Sequence, residues 1–453
     1  MNQLQKTHYQ QQQVGGLLWV SLACVWLLAV SCNSLPSDRA DVSIDAATNV
    51  KVVCRLFCGV VLCLLLASVW THPKRQQVMR LCWPLVLFVG MAALSAIWSP
   101  LKTISLWQAG SLAVLSMLAM SLAVLYDSIR DFSLVMFHLS CVLLVNSGTV
   151  LAATFVMPSI GSLDRVSEGF FHTTSASASA SLGLTLLVAS ALFWNWRWAR
   201  LLLLPGAVVH CAVLYLAVNR VSILMTFIML AVIFCYYSAR SRTVPLVFVV
   251  LVSLTGSVYV GLDPGLGSVE RLLAASSSYA SRDQTLQQIM ELSGRSEMWT
   301  AVWTEYLGSP WIGHGYFVCS PTGQIFVWNR WTNWTAHNVF LQCLMSVGLV
   351  GMLLLLWGFA RVASFWGRCH ARGVLSSEFS KLFVLLSIWS FGWGLFNESF
   401  LGPTRPQSIA LFVLFGLAVG ELVSAHSVID DQCDGLDTAT SESRHGLLTG
   451  DER

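Results

Sequence analysis

The sequence predicts an all-α, polytopic membrane bundle of about twelve transmembrane helices, with a large, partly helical loop between the ninth and tenth. Three observations carry this. Of 453 residues, 55% are hydrophobic and only 11% charged, a balance that a water-soluble chain of this size does not tolerate. Apolar runs of bilayer-spanning length recur along the chain, separated by short polar connections. A single connection, 263–337, exceeds seventy residues, and it is not of low complexity.

The spanning runs, in order, are Val14–Ser31, Val52–Trp70, Leu81–Trp98, Ile104–Tyr126, Phe132–Met157, Ala176–Trp194, Leu201–Val218, Val221–Ser238, Val244–Leu262, Val339–Ala360, Leu382–Leu401 and Ser408–Ala425. The first is expected to be a retained span. Residues 1–13 hold a single lysine, and no small-x-small cleavage site closes the run. The seventh and eighth form one apolar stretch, Leu201–Tyr237, interrupted only at Asn219–Arg220. That stretch is too long for one crossing and suits two, so Arg220 is expected at a tight hairpin tip.

Lysine and arginine bias sets the orientation. With the N-terminus inside, the inner loops carry twelve basic residues (Lys74, Arg75, Arg80, Arg130, Arg197, Arg200, Arg240, Arg242, Arg361, Arg368, Arg372, Lys381). The short outer loops carry six: Arg39, Lys51, Lys102, Arg165, Arg220 and Arg405. The chain then divides into a cytoplasmic N-terminus (1–13), spans one to nine (14–262), an extracytoplasmic loop (263–337), spans ten to twelve (338–426) and a polar, acidic cytoplasmic tail (427–453) expected to be disordered.

The long loop reads as a small folded cap. After Ser293 as N-cap, Arg295–Tyr306 puts Trp299, Val302, Trp303 and Tyr306 on one helical stripe, which Gly308-Ser309-Pro310 ends. Gly313 and Gly315 follow as turn residues, and a second helix is expected at Arg282–Leu292. Most of the thirteen cysteines lie in apolar runs, where they act as small hydrophobes. Cys32 and Cys319 fall outside them, and a disulfide between these two is left open. No CxxC pair or zinc-like spacing occurs, so no metal and no cofactor is expected. The net charge of +3 decides nothing about nucleic acid, but no basic patch with interleaved aromatics occurs and no nucleic-acid partner is expected.

In this topology several polar residues gather at the outer face: Arg220 at its hairpin tip, Arg295 opening the loop helix, His337 and Asn338 at the re-entry, and Glu398 and Arg405 at the end of span eleven. Arginines hold a diphosphate through planar, charge-assisted bonds. A neutral imidazole accepts a proton from an attacking hydroxyl. Singly, each residue has a plainer account. Arg220 can snorkel to headgroups, Arg295 can be a solvated first-turn residue, and His337 can bond a backbone carbonyl. The Trp299–Trp303–Tyr306 stripe can be packing or an interfacial belt. His210, in mid-span, reads as a satisfied interior histidine.

Four stretches together resemble the O-antigen ligase and polymerase superfamily of bacterial envelope glycosyltransferases. They are Ala96-Ile97-Trp98-Ser99-Pro100 with Ser105-Leu106, and Asn219-Arg220 before an apolar span. The third is Arg295-x-x-x-Trp299 followed by Ser309-Pro310-Trp311-Ile312-Gly313-His314-Gly315. The fourth is Ala336-His337-Asn338-Val339-Phe340-Leu341 running on to Gly348-Leu349-Val350-Gly351. The stretch Gly169–Ser175 departs from the family, which often has an asparagine after the glycine.

The resemblance implies an inverting, metal-independent transfer of a glycan from an undecaprenyl-diphosphate carrier to an acceptor hydroxyl, at the outer face of a bacterial inner membrane. Arg220 and Arg295 would bind the diphosphate, and His337 would serve as general base or orient the acceptor. Asn338 would bind substrate, and Trp299 would line the site or support the loop helix. A ligase-like reaction leads, with repeat-unit polymerase or protein O-oligosaccharyltransferase as alternatives of the same superfamily. A secondary transporter or lipid flippase is the alternative of another class. Such proteins tend to show internal repeats and broken helices near the midplane. Here no internal repeat is seen, the spans are poor in charges and the polar residues collect at one face. The expected partners are the lipid-linked donor, a lipid or glycan acceptor and membrane lipids.

Overall fold

A computed structural model describes residues 3–32, 46–156, 173–217, 219–238, 295–318, 320–323, 325–327, 331–333, 335–402 and 404–425. Their helices are α1 (Gln3–Cys32), α2 (Ala46–Ser68), α3 (Pro73–Leu94), α4 (Lys102–Leu125), α5 (Ile129–Val156), α6 (Thr173–Phe193), α7 (Arg197–Ala217), α8 (Arg220–Ser238), α9 (Arg295–Leu307), α10 (Val339–Ala371), α11 (Ser377–Gly394) and α12 (Pro406–Ala425). All but α9 and α11 are long and apolar enough to cross a membrane, which gives ten spans among the described residues. The fold is an all-α polytopic membrane bundle. A short antiparallel ribbon, β1 (Ile325–Val327) against β2 (Trp331–Asn333), decorates the loop.

Two expected spans are corrected in their boundaries, and the count of twelve spans is not reached among the described residues. The expected ninth span, Val244–Leu262, lies outside them, as do the loop helix at Arg282–Leu292, Cys319 and the tail 427–453. The expected span Leu382–Leu401 is instead the 18-residue α11, which starts at Ser377 and ends at Gly394. Ser376 caps its start by accepting from the Phe379 amide at 3.1 Å. At its end the amides of Leu395 and Phe396 turn back onto Phe391 and Trp393, and the chain enters a 3₁₀ turn at Ser399–Leu401. Likewise α10 runs on to Ala371, past the expected Ala360. Between Ala360 and Gly373 (φ 69°) no residue leaves the helical conformation, and Arg368 and His370 oppose the negative end of the helix dipole.

The most enclosed span is α6, most of whose residues are buried. Its sequence TTSASASASLG explains this, because small side chains let neighbouring helices approach closely in a bilayer. Its hydroxyls then bond across helices. Ser222 Oγ donates to Ser177 Oγ at 2.9 Å, Thr226 Oγ1 to Ser181 Oγ at 2.8 Å, and Trp389 Nε1 to Ser181 Oγ at 3.3 Å. Ser175 and Ser179 both donate to Gln407 Oε1 at 3.0 Å. His210 is buried in α7, 3.0 Å from Ser147 Oγ, a satisfied interior residue as expected. These contacts tie α6 to α8, α11 and α12, and α7 to α5, into one frame. One end of that frame carries the polar cluster described next.

Candidate active site

The cluster is built around the point where the long loop re-enters the bundle. Asn338 is the N-cap of α10. Its Oδ1 accepts from the amides of Phe340 (2.9 Å) and Leu341 (3.0 Å), and its Nδ2 donates to the Leu395 carbonyl at 3.0 Å. Both ends of the side-chain amide are thus engaged with backbone. Just before it, His337 adopts a positive φ of 46°, a conformation that non-glycine residues hold only when their surroundings over-determine it. They do so here. The preceding peptide at Ala336 is gripped on both sides: its carbonyl accepts from Trp299 Nε1 at 3.1 Å, and its amide donates to Gln342 Oε1 at 2.8 Å.

That grip aims the imidazole at a carboxylate. His337 Nδ1 lies 2.8 Å from Glu398 Oε1, and the His337 amide donates to the same oxygen at 3.2 Å. The Glu398 side chain is 7% exposed and that of His337 is 30%. Burial opposes charge on Glu398, but the facing His337 and hydrogen bonds from His337 and Thr335 outweigh it and hold the acid well below the usual carboxylate range. An ionised carboxylate only accepts, so Nδ1 carries the proton, and in the neutral ring Nε2 keeps its lone pair.

Two arginines share this end of the molecule. Arg295 opens α9, and its guanidinium carbon lies 5.7 Å from the centre of the Phe396 ring, two residues from Glu398. Arg220 opens α8, where Asn219 Oδ1 caps the helix by accepting from the Ser222 amide at 3.2 Å. Ser222 is tied to Ser177, and the flanking Ser175 and Ser179 hold Gln407 at the start of α12. The first turn of α8 is therefore level with the turn that carries Glu398.

The loop is locked into the bundle by an exchange of backbone bonds with α10. At Gly348 the helix is broken, with φ 68° and ψ −170°. Carbonyls of Met345 and Ser346 freed by the break accept from the amides of His314 (2.8 Å) and Gly315 (3.0 Å). Amides beyond it, Leu349 and Val350, donate to the carbonyls of Pro310 (2.8 Å) and Trp311 (3.1 Å). A β-carbon on Gly313 (φ 67°) would sit 2.5 Å from the Ser346 carbonyl carbon, so the approach requires glycine. The Trp98 turn closes the third side. Trp98 Nε1 donates to the Gly313 carbonyl at 3.2 Å, and the Tyr316 amide donates to Ser95 Oγ at 2.7 Å.

Ser95 is fully buried, and its hydroxyl also donates to the Ala92 carbonyl at 2.7 Å. Ser95→Ala strands the Tyr316 amide and is expected to lower stability by about 1–3 kcal/mol, read as a reduced melting temperature in detergent.

Of the five site residues expected from sequence, Arg295, Trp299, His337 and Asn338 converge on the segment Ala336–Glu398 through named contacts, and Arg220 lies at the same end. Trp299 and Asn338 hold backbone. Glu398 was noted at this face but not assigned a role. The available signal was a carboxylate at the border of an apolar run, which requires a partner wherever it is buried.

Residues 205–356 match the family model described as O-antigen ligase. Over this region the chain is similar to the O-antigen ligase family, which supports the O-antigen ligase/polymerase superfamily resemblance. No curated protein matches it in sequence. The O-antigen ligase match begins in α7 and ends in α10 beyond the Gly348 break, so it takes in Arg220, Arg295, Trp299, His337 and Asn338 together with the loop–helix lock. Glu398 and the Trp98 turn lie outside it. The family groups glycosyltransferase-like enzymes with lipid-linked glycan substrates in a membrane, and the ten spans among the described residues are compatible with that setting.

Proposed function

We propose that this protein transfers a glycan from an undecaprenyl-diphosphate carrier to an acceptor hydroxyl, with inversion and without a metal ion, at the outer face of a bacterial inner membrane. The observation that carries the reading is the His337–Glu398 pair, 2.8 Å apart, on the end of the bundle shared by Arg220 and Arg295. His337 Nε2 takes the proton of the acceptor hydroxyl as its oxygen attacks the anomeric carbon. The bond from that carbon to the diphosphate oxygen breaks on the opposite side, which inverts the centre. Glu398 stabilises the imidazolium that forms, and Arg220 and Arg295 hold the charge of the departing diphosphate.

An apolar cavity of about 430 Å³ among α3, α4, α10, α11 and α12 supports a polyprenyl donor. Its wall includes Phe400 and Leu401, next to the Glu398 turn, so a hydrocarbon chain can lie within the bundle while its diphosphate faces the arginines. Ligation to a lipid acceptor is the favoured outcome over chain growth, and product size separates the two.

Arg220→Lys tests the reading, because lysine keeps the charge and loses the planar fork. In proteoliposomes with a polyprenyl-diphosphate-linked glycan, the variant is expected to transfer about 10²–10³-fold more slowly. Chelator is expected to leave the wild-type rate unchanged. Wild-type rates for both Arg220→Lys and Arg220→Ala would refute the clamp.

A further inference from the structure

The far end of α10 carries a second polar site that the transfer chemistry does not use. At the end of α3, Ser95 meets the loop at Tyr316, while Arg80, about 22 Å back along the helix, meets Arg361 of α10, so this region lies toward the opposite end of the bundle. Trp357, Arg361, Ser364 and Arg368 recur at helical spacing and form one stripe of α10. Gln77, Arg80 and Leu81 form the facing stripe of α3. Between them lies a pocket of about 450 Å³, lined by these residues with Ala360, Phe365 and Val423.

The charge balance of this pocket is one-sided. Three arginines line it and no carboxylate does, among the described residues. Arg361 Nη2 donates to the Arg80 carbonyl at 2.8 Å, which draws the two basic residues together. Its Nε is buried, and no hydrogen-bond partner for it occurs among the described residues. A buried guanidinium nitrogen beside two further cations favours an anion there. The rim of the pocket is exposed at the surface of the bundle. Trp357 is 45% exposed there and makes an edge-to-face pair with Trp83 at 4.5 Å, and Arg80 and Arg368 are exposed. Trp and Arg together mark the headgroup level of a bilayer.

We propose that the Arg80–Arg361–Arg368 pocket binds the phosphate headgroup of an anionic phospholipid in the leaflet opposite the transfer site. The phosphate sits among the guanidinium groups with Gln77 and Ser364 as further donors. The acyl chains descend along Leu81, Trp357 and Ala360. Basic pockets between spans recognise anionic headgroups by this chemistry. The proposal is independent of the transferase reading.

The test uses the full-length protein, delipidated in detergent and resupplied with phosphatidylglycerol or phosphatidylcholine, followed by native mass spectrometry and melting temperature. Phosphatidylglycerol is expected to be retained and to raise the melting temperature, and Arg361→Gln/Arg368→Gln is expected to retain it roughly tenfold less well. Equal effects of the two lipids, or undiminished retention by the double variant, would overturn the proposal. So would an equal shift with inorganic phosphate alone, which would make the ligand a soluble anion. A photoactivatable phosphatidylglycerol on the unmutated protein covers the case in which the variant does not fold. Cross-links are expected on the Trp357–Arg368 and Gln77–Leu81 segments, and cross-links confined elsewhere would refute the site.

Discussion

His337→Ala is expected to lower glycan transfer by about 10²–10⁴-fold, the range that a positioned general base contributes. The reason lies in how much structure is invested in one ring. The residue is held at φ 46°, its preceding peptide is fixed by Trp299 and Gln342, and its Nδ1 is paired with a buried carboxylate. A histidine that merely capped a helix would need none of this, since Asn338 already supplies the cap. Initial rates in proteoliposomes, at saturating donor, read the effect. A rate within about threefold of wild type would remove His337 from the chemistry.

Glu398 adds a pH signature. Its folded-state pKa is depressed, so its contribution to stability is complete above the ordinary carboxylate value of 4.5 and is lost only as pH falls through the lower folded value. Acidification to the ordinary carboxylate range therefore leaves the His337–Glu398 pairing intact.

The second large effect is expected at Gly348→Ala. The φ and ψ of 68° and −170° belong to a region open essentially to glycine alone. A β-carbon there would lie 2.3 Å from the Trp311 carbonyl carbon. Backbone cannot yield as a flexible side chain does, so relief requires the 310–315 segment to lift off α10. Strain of about 1–3 kcal/mol combines with the loss of several inter-segment hydrogen bonds at about 1 kcal/mol each, an expected total of about 3–5 kcal/mol. The melting temperature in detergent and the monodisperse fraction measure it. Gly367→Ala, in the same helix with nothing within 4 Å of the added carbon, is the control and is expected to be neutral or stabilising by up to about 1 kcal/mol. Equal behaviour of the two variants would mean that the loop is not held as described.

Much of this was legible in the sequence, for definable reasons. Apolar runs report bilayer crossings directly, so each of the first eight expected spans falls on a helix, although α3 starts at Pro73, before the expected Leu81, and ends at Leu94. The Arg295–Tyr306 stripe is matched by α9 at Arg295–Leu307, because its apolar period and the following Gly-Ser-Pro stop are both local signals. Hydropathy could not separate the end of α11 from the turn after it, since Leu395 and Phe396 are as apolar as the helix they leave. Nor could it find the Glu398 pairing with His337, which joins residues 61 positions apart. The exchange of bonds between His314–Gly315 and Met345–Ser346 was equally hidden. The glycines that permit it were visible as turn residues, but nothing local to them reveals which backbone they admit.

That exchange also sets a rule for length. One residue added to α10 between Val339 and Gly348 would rotate the receiving carbonyls by about 100° and lift them about 1.5 Å, away from the donors at His314 and Gly315. No shift of side chains restores such a match. Homologous chains should therefore keep the spacing from the re-entry histidine to the broken glycine unchanged. Insertions and deletions should instead collect around the β1–β2 ribbon, whose length the lock does not constrain. The interval from His337 to Gly348 thus acts as a ruler inherited whole, even where the residues that mark it change.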